Sequence, residues 1–143
     1  MKKVAINGFG RIGRSALKLI FDTNDLEVVG INDLMSIENA VYLLQYDSNY
    51  GKYKKNVSFE GDTIFVGEKA IKYTSIRDIA DLPWKDLEVD VVIESTGLFT
   101  SQGDAEKHIL AGAKSVVISG PTKDTPTVVH GVNTETGKVS IFS

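Results

Sequence analysis

The stretch Val4-Ala5-Ile6-Asn7-Gly8-Phe9-Gly10-Arg11-Ile12-Gly13-Arg14 decides the fold of this 143-residue chain. An apolar strand leads to Gly8, and a helix-forming run that ends at Ile20 follows Gly13. This G-x-G-x-x-G pattern between a strand and a helix is typical of the phosphate-binding turn of a dinucleotide-binding unit. Gly8 allows the tight turn, Gly10 lets a pyrophosphate approach the main chain, and Gly13 lets the helix pack on the strand. Backbone N–H groups at the start of the helix then face the anion, in the field of the helix dipole.

An acidic residue at the end of a second apolar strand strengthens this interpretation. The run over 26–33 predicts such a strand, and its last residue, Asp33, follows Gly13 at the spacing of about 20 residues that dinucleotide-binding units show. A carboxylate there is able to accept a hydrogen bond from a ribose 2′-OH. The alternative for Asp33 alone is a turn residue or a helix N-cap. The order strand, glycine turn, helix, strand and acid favours dinucleotide binding.

The composition is that of an ordinary globular protein, with 42% hydrophobic and 24% charged residues, and we expect one domain over 1–143. The net charge of −3 gives no general attraction to nucleic acid or to an anionic membrane, and we expect neither as a partner. No apolar run is long enough for a membrane helix or a signal peptide, so the cytoplasm is the expected location. The chain has no cysteine, which excludes disulfides and thiol catalysis within it, and no cluster of histidines and acids suggests a metal.

Helical and apolar strand patterns alternate along the chain, which predicts an α/β domain with a doubly wound, mainly parallel sheet of the Rossmann type. Alternating runs between Asn56 and Thr74 predict a small antiparallel hairpin insert. The apolar face of the first helix is expected to consist of Ile12, Leu17, Leu19 and Ile20. Further helices are predicted over 36–45, with Ser36 as N-cap, and over 102–111, and further strands over 89–94, 115–119, 127–130 and 139–142.

In a doubly wound sheet the ligand lies across the carboxyl ends of the strands. The groups expected there are the glycine turn, Asp33, the segment Ser95-Thr96-Gly97 and Ser119, each at the downstream end of a strand. Gly97 permits a close backbone approach, and the hydroxyl groups of Thr96 and Ser119 offer hydrogen bonds without blocking the site. Taken singly, each of these residues could be a plain turn residue. The expected fold favours contact with the ligand.

Other polar side chains have less support from their position. Arg11 could contact a pyrophosphate, whereas Arg14 is expected on a solvated helix face. Arg77 lies in a loop that could reach an adenine. His108 is expected as a surface or packing residue, and neither it nor His130 has a partner at a spacing that would suggest a general base.

With these residues assembled, the chain resembles the amino-terminal domain of the glyceraldehyde-3-phosphate dehydrogenase family over essentially its whole length. The stretch 5–14 looks like the opening signature of that family, and 31–34 looks like its ribose-binding segment. The blocks 44–48, 94–100, 111–119 and 131–133 are similar to its later segments. The resemblance implies that NAD is the cofactor.

The resemblance also implies contacts at the adenine and pyrophosphate end of NAD. Arg11 and Ile12 would donate backbone groups to the pyrophosphate, and Asp33 would hold the adenine ribose. Leu34 is similar to the residue in NAD-preferring members, because a 2′-phosphate would meet its bulk and the charge of Asp33. Arg77 would lie near the adenine, although Ile79 replaces the proline that usually follows the Arg-Asp pair.

At the other end of the cofactor, the resemblance implies that Thr96 and Gly97 line the nicotinamide ribose and that Ser119 contacts the same half. The turn after Ser119 departs modestly from the family, which more usually has alanine before the proline. The full expected cofactor-binding set is Asn7, Gly8, Gly10, Arg11, Ile12, Gly13, Asp33, Leu34, Arg77, Ser95, Thr96, Gly97 and Ser119.

The chemistry of the family needs a cysteine thiolate that attacks an aldehyde, after which hydride passes to NAD and phosphate cleaves the thioester. The resemblance puts that cysteine just beyond Ser143 and the catalytic histidine in a second, catalytic domain that is absent from this chain. No residue here is therefore assigned a catalytic or metal-binding role. We expect NAD binding without turnover, with the phosphorylated aldehyde and the homotetramer belonging to the full-length enzyme. The alternatives are the NAD domain of an erythrose-4-phosphate dehydrogenase and a stand-alone nucleotide-binding module.

Overall fold

The computed structural model describes residues 1–47, 51–99, 101–119 and 141–142. The helices are α1 (Arg11–Phe21), α2 (Ile37–Gln45) and α3 (Gln102–Leu110), and a 3₁₀ turn spans Ile79–Asp81. The strands are β1 (Lys2–Asn7), β2 (Leu26–Asn32), β3 (Tyr46–Asp47), β4 (Gly51–Lys52), β5 (Val57–Glu60), β6 (Thr63–Val66), β7 (Lys69–Thr74), β8 (Val91–Glu94), β9 (Ser115–Ile118) and β10 (Ile141–Phe142).

Eight of these strands form one sheet in the order β10-β9-β8-β1-β2-β7-β6-β5, and β3 pairs with β4 separately. Neighbours from β10 to β7 run parallel, whereas β7, β6 and β5 form an antiparallel meander. The chain passes from β1 to β2 on one side and later returns to β8 on the other side of β1. The gap between β1 and β8 is therefore the switch point where ligands bind in such sheets. The predicted α/β fold is confirmed, and the antiparallel insert extends the main sheet through β7.

Both faces of the parallel part of the sheet are covered, as its apolar strands predict. Alternate residues of β1 point to opposite faces, so Val4 and Ile6 pack into one apolar core and Ala5 into the other. Leu17 of α1 lies in the first core. The second core surrounds the fully buried Trp84. The two cores hold the strands from both faces, and so hold the groups at the carboxyl ends of the strands in position.

The buried face of α1 differs from the prediction at two positions. Leu17 and Ile20 are buried as expected, but Ile12 and Leu19 are 56% and 68% exposed. The third buried position is Gly13, which shares one helical stripe with Leu17 and Ile20 at spacings of four and three residues. The sequence pattern missed this because a glycine carries no apolar side chain, although its small size lets α1 approach the sheet.

The predicted N-cap of α2 is confirmed, since Ser36 Oγ accepts a hydrogen bond from Asn39 N at 3.2 Å. The predicted strand over 127–130 and the turn after Ser119 lie outside the described residues. Of the last predicted strand only Ile141–Phe142 is described, and it pairs in parallel with β9. Within the described ranges no helix has the length and apolar character needed to cross a membrane.

Candidate functional site

A pocket of about 370 Å³ lies at the carboxyl ends of β1, β2 and β8. It brings together most of the residues that the sequence predicts for cofactor binding, together with apolar side chains that carried no sequence signal. The lining residues are Asn7, Gly8, Gly10, Asn32, Asp33, Leu34, Ile76, Arg77, Ser95, Thr96, Leu98 and Phe99.

The glycine turn forms one wall of this pocket. Gly8 has a φ of +96°, and a Cβ there would lie 2.6 Å from the backbone nitrogen of Thr96, so only glycine fits. A Cβ at Gly13 would collide with the carbonyl oxygen of Gly8, which is the close helix packing expected of the third glycine. A Cβ at Gly10 would meet no atom within 4 Å, and this residue lines the pocket. The turn thus leaves open space beside its main chain, where a ligand could approach.

The start of α1 beside this turn has no side-chain cap and no acidic residue in its first turn. Its first intrahelical hydrogen bond runs from Arg14 N to Gly10 O at 2.9 Å. The N–H groups of residues 11–13 therefore have no acceptor within the helix, and the helix dipole adds positive potential there. This arrangement suits a phosphate and fits the pyrophosphate of a dinucleotide.

The carboxylate of Asp33 stands at the end of β2 and is held by two backbone groups. Its Oδ2 accepts a hydrogen bond from Phe9 N at 2.6 Å, and its Oδ1 accepts one from Met35 N at 3.0 Å. An ionised carboxylate has about four lone-pair sites, so each oxygen retains one for a ligand. Tyr73 donates to Met35 O at 2.8 Å, and burial together with the charge of Asp33 raises the pKa of its phenol well above the usual value. The tyrosine therefore remains a donor at neutral pH.

Arg14 does not lie on the solvated face that the sequence suggested. It is half-buried, and its Nη1 donates a hydrogen bond to Phe9 O at 2.9 Å. The backbone N–H of Phe9 donates to Asp33, and the side chain of Phe9 is fully buried. The tip of the glycine turn is consequently fixed through both the backbone N–H and the backbone carbonyl of Phe9.

A row of polar side chains crosses the sheet below the pocket. Thr74, Asn32, Asn7 and Glu94 are register partners on the adjacent strands β7, β2, β1 and β8. Thr74 Oγ1 donates to Asn32 Oδ1 at 2.8 Å, Asn32 Nδ2 to Asn7 Oδ1 at 2.8 Å, and Asn7 Nδ2 to Glu94 Oε1 at 2.7 Å. We refer to these four residues as the polar row. The sequence prediction included only Asn7, although all four residues end their strands.

The row continues to His108, which is completely buried in α3 and not at the surface. Trp84 Nε1 lies 2.9 Å from His108 Nδ1, and His108 Nε2 lies 2.8 Å from Glu94 Oε1. Because an indole N–H can only donate, Nδ1 must accept, and the imidazole hydrogen sits on Nε2. His108 therefore donates to Glu94, whose side chain is only 1% exposed. No spacing rule predicts this contact, since it depends on the packing of α3.

Five residues of the expected cofactor set do not line the pocket. Arg11 and Ile12 are exposed at the start of α1, and Gly13 is buried beneath it. Gly97 lies on the exposed rim with a φ of +76°, and Ser119 is exposed, with its N–H donated to Glu94 O. Among the described residues, no group of three or more histidines and acids could hold a metal.

The fold and this site together define a dinucleotide-binding α/β domain. Residues 2–102 match the family model described as the glyceraldehyde 3-phosphate dehydrogenase, NAD binding domain. The chain belongs to the glyceraldehyde-3-phosphate dehydrogenase family and represents its NAD-binding domain.

Several curated relatives share about half of their aligned residues with the chain. The cytosolic glyceraldehyde-3-phosphate dehydrogenase of Trypanosoma brucei brucei is 52% identical over 137 residues, which are 95% of this chain and 41% of the relative. The Chlamydia pneumoniae enzyme of the same name is 53% identical over 94% of this chain and 41% of its own length. Glyceraldehyde-3-phosphate dehydrogenase 1 of Candida glabrata is 47% identical over 100% of this chain and 44% of its own length. The chain thus spans about two fifths of the length of these relatives.

Proposed function

We propose that this chain binds NAD in the pocket at the carboxyl edge of β1, β2 and β8. The observation that carries the proposal is the pocket lined by both Asp33 and Gly10, the residue at the N-cap of the uncapped helix α1. The helix start supplies N–H donors for a diphosphate, and Asp33 supplies acceptors for a sugar. The family to which the chain belongs is described by NAD binding, which agrees with this division of roles.

Within this proposal the cofactor runs across the switch point. The backbone N–H groups of Arg11 and Ile12 hold the pyrophosphate, and Asp33 accepts from the adenine ribose. Arg77, which lines the pocket, lies toward the adenine. Their contacts leave the nicotinamide half for the opposite end of the pocket.

That end is formed by the loop after β8. Ser95 and Thr96 line it, with Gly97 on its rim, and they contact the nicotinamide ribose in this proposal. Ser119 follows β9 at the same edge of the sheet and contacts the same half of the cofactor. Leu98 and Phe99 add apolar surface to the lining on this side.

We further propose that the site prefers NAD to NADP. A 2′-phosphate would bring negative charge against the carboxylate of Asp33, and both oxygens of that carboxylate are already turned toward backbone donors. Leu34, which lines the pocket and is 52% exposed, offers no positive charge to compensate. Two negative charges, on the phosphate and on Asp33, would then lie close together without a positive partner, which disfavours binding.

Calorimetric titration of the 143-residue chain with NAD and NADP tests both statements. We expect saturable NAD binding and NADP binding at least tenfold weaker. Asp33→Asn removes the charge and one acceptor, and we expect it to weaken NAD roughly ten- to hundredfold, because a charge-assisted hydrogen bond contributes about 1.5–3 kcal/mol. The matched control is Asp86→Asn, which lies outside the pocket. Equal or tighter NADP binding by the unaltered chain would contradict the role given to Asp33.

We also propose that the chain alone does not oxidise an aldehyde. It contains no cysteine, so no thiolate is present to form the covalent intermediate of a phosphorylating aldehyde dehydrogenase. Residues 1–143 then act as one cofactor-binding domain of a longer, cytoplasmic, homotetrameric enzyme that takes a small phosphorylated aldehyde. Mixing the pure chain with glyceraldehyde 3-phosphate, NAD and phosphate should yield no NADH, and turnover above the protein-free rate would refute this.

A further inference from the structure

The buried carboxylate of Glu94 has no role in the proposed NAD contacts, yet it accepts four hydrogen bonds at this edge of the sheet. Its Oε1 accepts from Asn7 Nδ2 at 2.7 Å and from His108 Nε2 at 2.8 Å. Its Oε2 accepts from Thr96 N at 3.1 Å and from Thr96 Oγ1 at 2.8 Å. Four donors fill the approximately four lone-pair sites of a carboxylate. Both oxygens of Glu94 are therefore used within the protein, and no acceptor site is left for a ligand.

The hydrogen bonds on both sides of Glu94 point toward it. From one side Thr74 donates to Asn32, Asn32 to Asn7, and Asn7 to Glu94. From the other side Trp84 donates to His108, and His108 donates to Glu94. Each member is polarised in the same sense, and such chains of hydrogen bonds strengthen cooperatively. Reversing any one amide or imidazole would place two donors or two acceptors together.

The consequence for the pocket lies at Thr96. Its hydroxyl hydrogen is given to Glu94, and its oxygen already accepts from Leu98 N at 3.1 Å. A hydroxyl has two lone pairs, so one acceptor site remains and no donor. Thr96 lines the pocket, and this remaining site is able to receive a ligand hydroxyl. Asn32, by contrast, uses both amide hydrogens and both lone pairs within the protein.

We propose that Glu94 is a positioning residue for the cofactor site: its buried carboxylate, anchored by His108 and Trp84, fixes Thr96 as an acceptor for a ribose hydroxyl. This inference rests on the proposed NAD function and adds to it a residue that never touches the ligand. Glu94→Gln is the decisive change because it keeps the shape and loses an acceptor. A glutamine amide would face either Thr96 N–H or the pair Asn7 and His108, and all of these are donors.

The first test measures the affinity of the chain for NAD in a double-mutant cycle of Glu94→Gln and Thr96→Val. Each single change should weaken NAD roughly two- to tenfold, the value of one neutral hydrogen bond. The double variant should be no weaker than the poorer single variant, because both changes remove the same contact. Thr96→Ser retains the hydroxyl and should recover most of the affinity that Thr96→Val loses. Val66→Ala, a fully buried position in the meander, controls for loss of stability alone and should bind NAD normally.

The second test needs no ligand. Trp84 is the only tryptophan, so its indole N–H gives a single, assignable ¹H–¹⁵N resonance. We expect that proton to exchange slowly and the ¹⁵N shifts of His108 to report the Nε2–H tautomer. Glu94→Gln should move both signals, whereas Thr96→Val should leave them in place.

Three results would overturn the inference: unchanged NAD affinity in folded Glu94→Gln, multiplying effects in the double variant, or the Nδ1–H tautomer at His108. If Glu94→Gln does not fold, equal losses of affinity in Thr96→Val and Thr96→Ser would overturn it instead. Failure of the unaltered chain to bind NAD would contradict the proposed function itself. Normal binding with an unaffected Glu94→Gln would contradict only the role of Glu94.

Discussion

The start of α1 differs from the starts of α2 and α3 in the same chain. Ser36 caps α2 and Ser101 caps α3, in each case by accepting the backbone N–H three residues on. Each of these two helices also carries an acid in its first turn, Glu38 or Asp104. The start of α1 has neither feature, and Gly10 occupies its N-cap.

This difference shows how one rule of helix chemistry serves two purposes. The first-turn N–H groups of any helix need acceptors, and protein side chains supply them where no ligand is expected. At α1 the donors remain available beside a pocket, and in our proposal the phosphates of NAD supply the missing acceptors. The pocket is therefore a place where the chain leaves its own hydrogen bonding incomplete.

The largest effect in this comparison is expected from the turn that exposes the start of α1. Gly8→Ala places a Cβ against the backbone of Thr96 at a φ of +96°, and should cost roughly 3 kcal/mol or more of stability and abolish NAD binding. Gly103→Ala, inside the capped helix α3, meets only Ser101 Oγ at 3.9 Å and should stabilise the chain by about 0.5–1 kcal/mol. Thermal unfolding with and without NAD measures both. A Gly8→Ala variant as stable as the unaltered chain would be evidence against the turn geometry.

Adding an N-cap to α1 and removing the one from α3 should separate effects on stability from effects on NAD affinity. Gly10 has extended backbone angles that serine adopts, so Gly10→Ser should cap α1, stabilise the free chain by a few tenths of a kcal/mol and weaken NAD by competing for the same N–H groups. Ser101→Ala should cost about 1 kcal/mol of stability and leave NAD affinity unchanged. Calorimetry and denaturant unfolding of the two variants provide the comparison. Unchanged NAD affinity in Gly10→Ser would mean that the start of α1 does not hold the phosphates.

The sequence predicts the backbone geometry around the pocket well where a residue type is tied to one conformation. Gly8 and Gly13 have the turn and the close packing that their spacing predicts, and Asp33 directly follows β2 and lines the pocket. Periodicity fails at Ile12 and Leu19, because the buried stripe of α1 passes through Gly13. Apolar periodicity predicts burial from the positions of apolar side chains. It cannot detect close packing at a glycine, which has no side chain.

The polar row shows a second limit of sequence reasoning. Asn7, Asn32 and Glu94 each end a strand, but their adjacency depends on the strand order, which places β1 between β2 and β8. The partner His108 comes from α3, and its burial follows from the packing of that helix beside Trp84. A lone histidine in a helix carries no local signal of such a contact. Tertiary packing alone decides whether it faces solvent or a carboxylate.

The smallest effect is expected at the opposite edge of the sheet, where Asp90 offers a comparison with Asp33. Asp90 also accepts a backbone N–H, from Lys3 at 2.9 Å, but its other oxygen is bound by Lys114 Nζ at 2.9 Å. The N–H of Lys3 and the ammonium of Lys114 lower the pKa of the Asp90 carboxyl. Its stabilising contribution is therefore full above the ordinary pKa of an aspartate and is lost as the pH falls through the lowered folded-state pKa.

Asp90→Asn should accordingly reduce stability by no more than about 1 kcal/mol at neutral pH, the scale of a partly exposed ion pair. The difference from the unaltered chain should shrink in acid, and NAD affinity should not change. Urea unfolding at pH 7 and pH 3 measures the first two quantities. A loss of NAD affinity would show that the two edges of the sheet are coupled.

The most direct test of the central claim is a titration of the ¹⁵N-labelled chain with NAD, followed through the backbone amide shifts. We expect saturable shifts of the amides of residues 9–13, at the start of α1, and of Thr96, with the capped start of α3 at residues 102–104 unaffected. Unshifted amides over 9–13 at saturating NAD, or shifts confined to another part of the sheet, would contradict the claim that the bare helix start holds the phosphates.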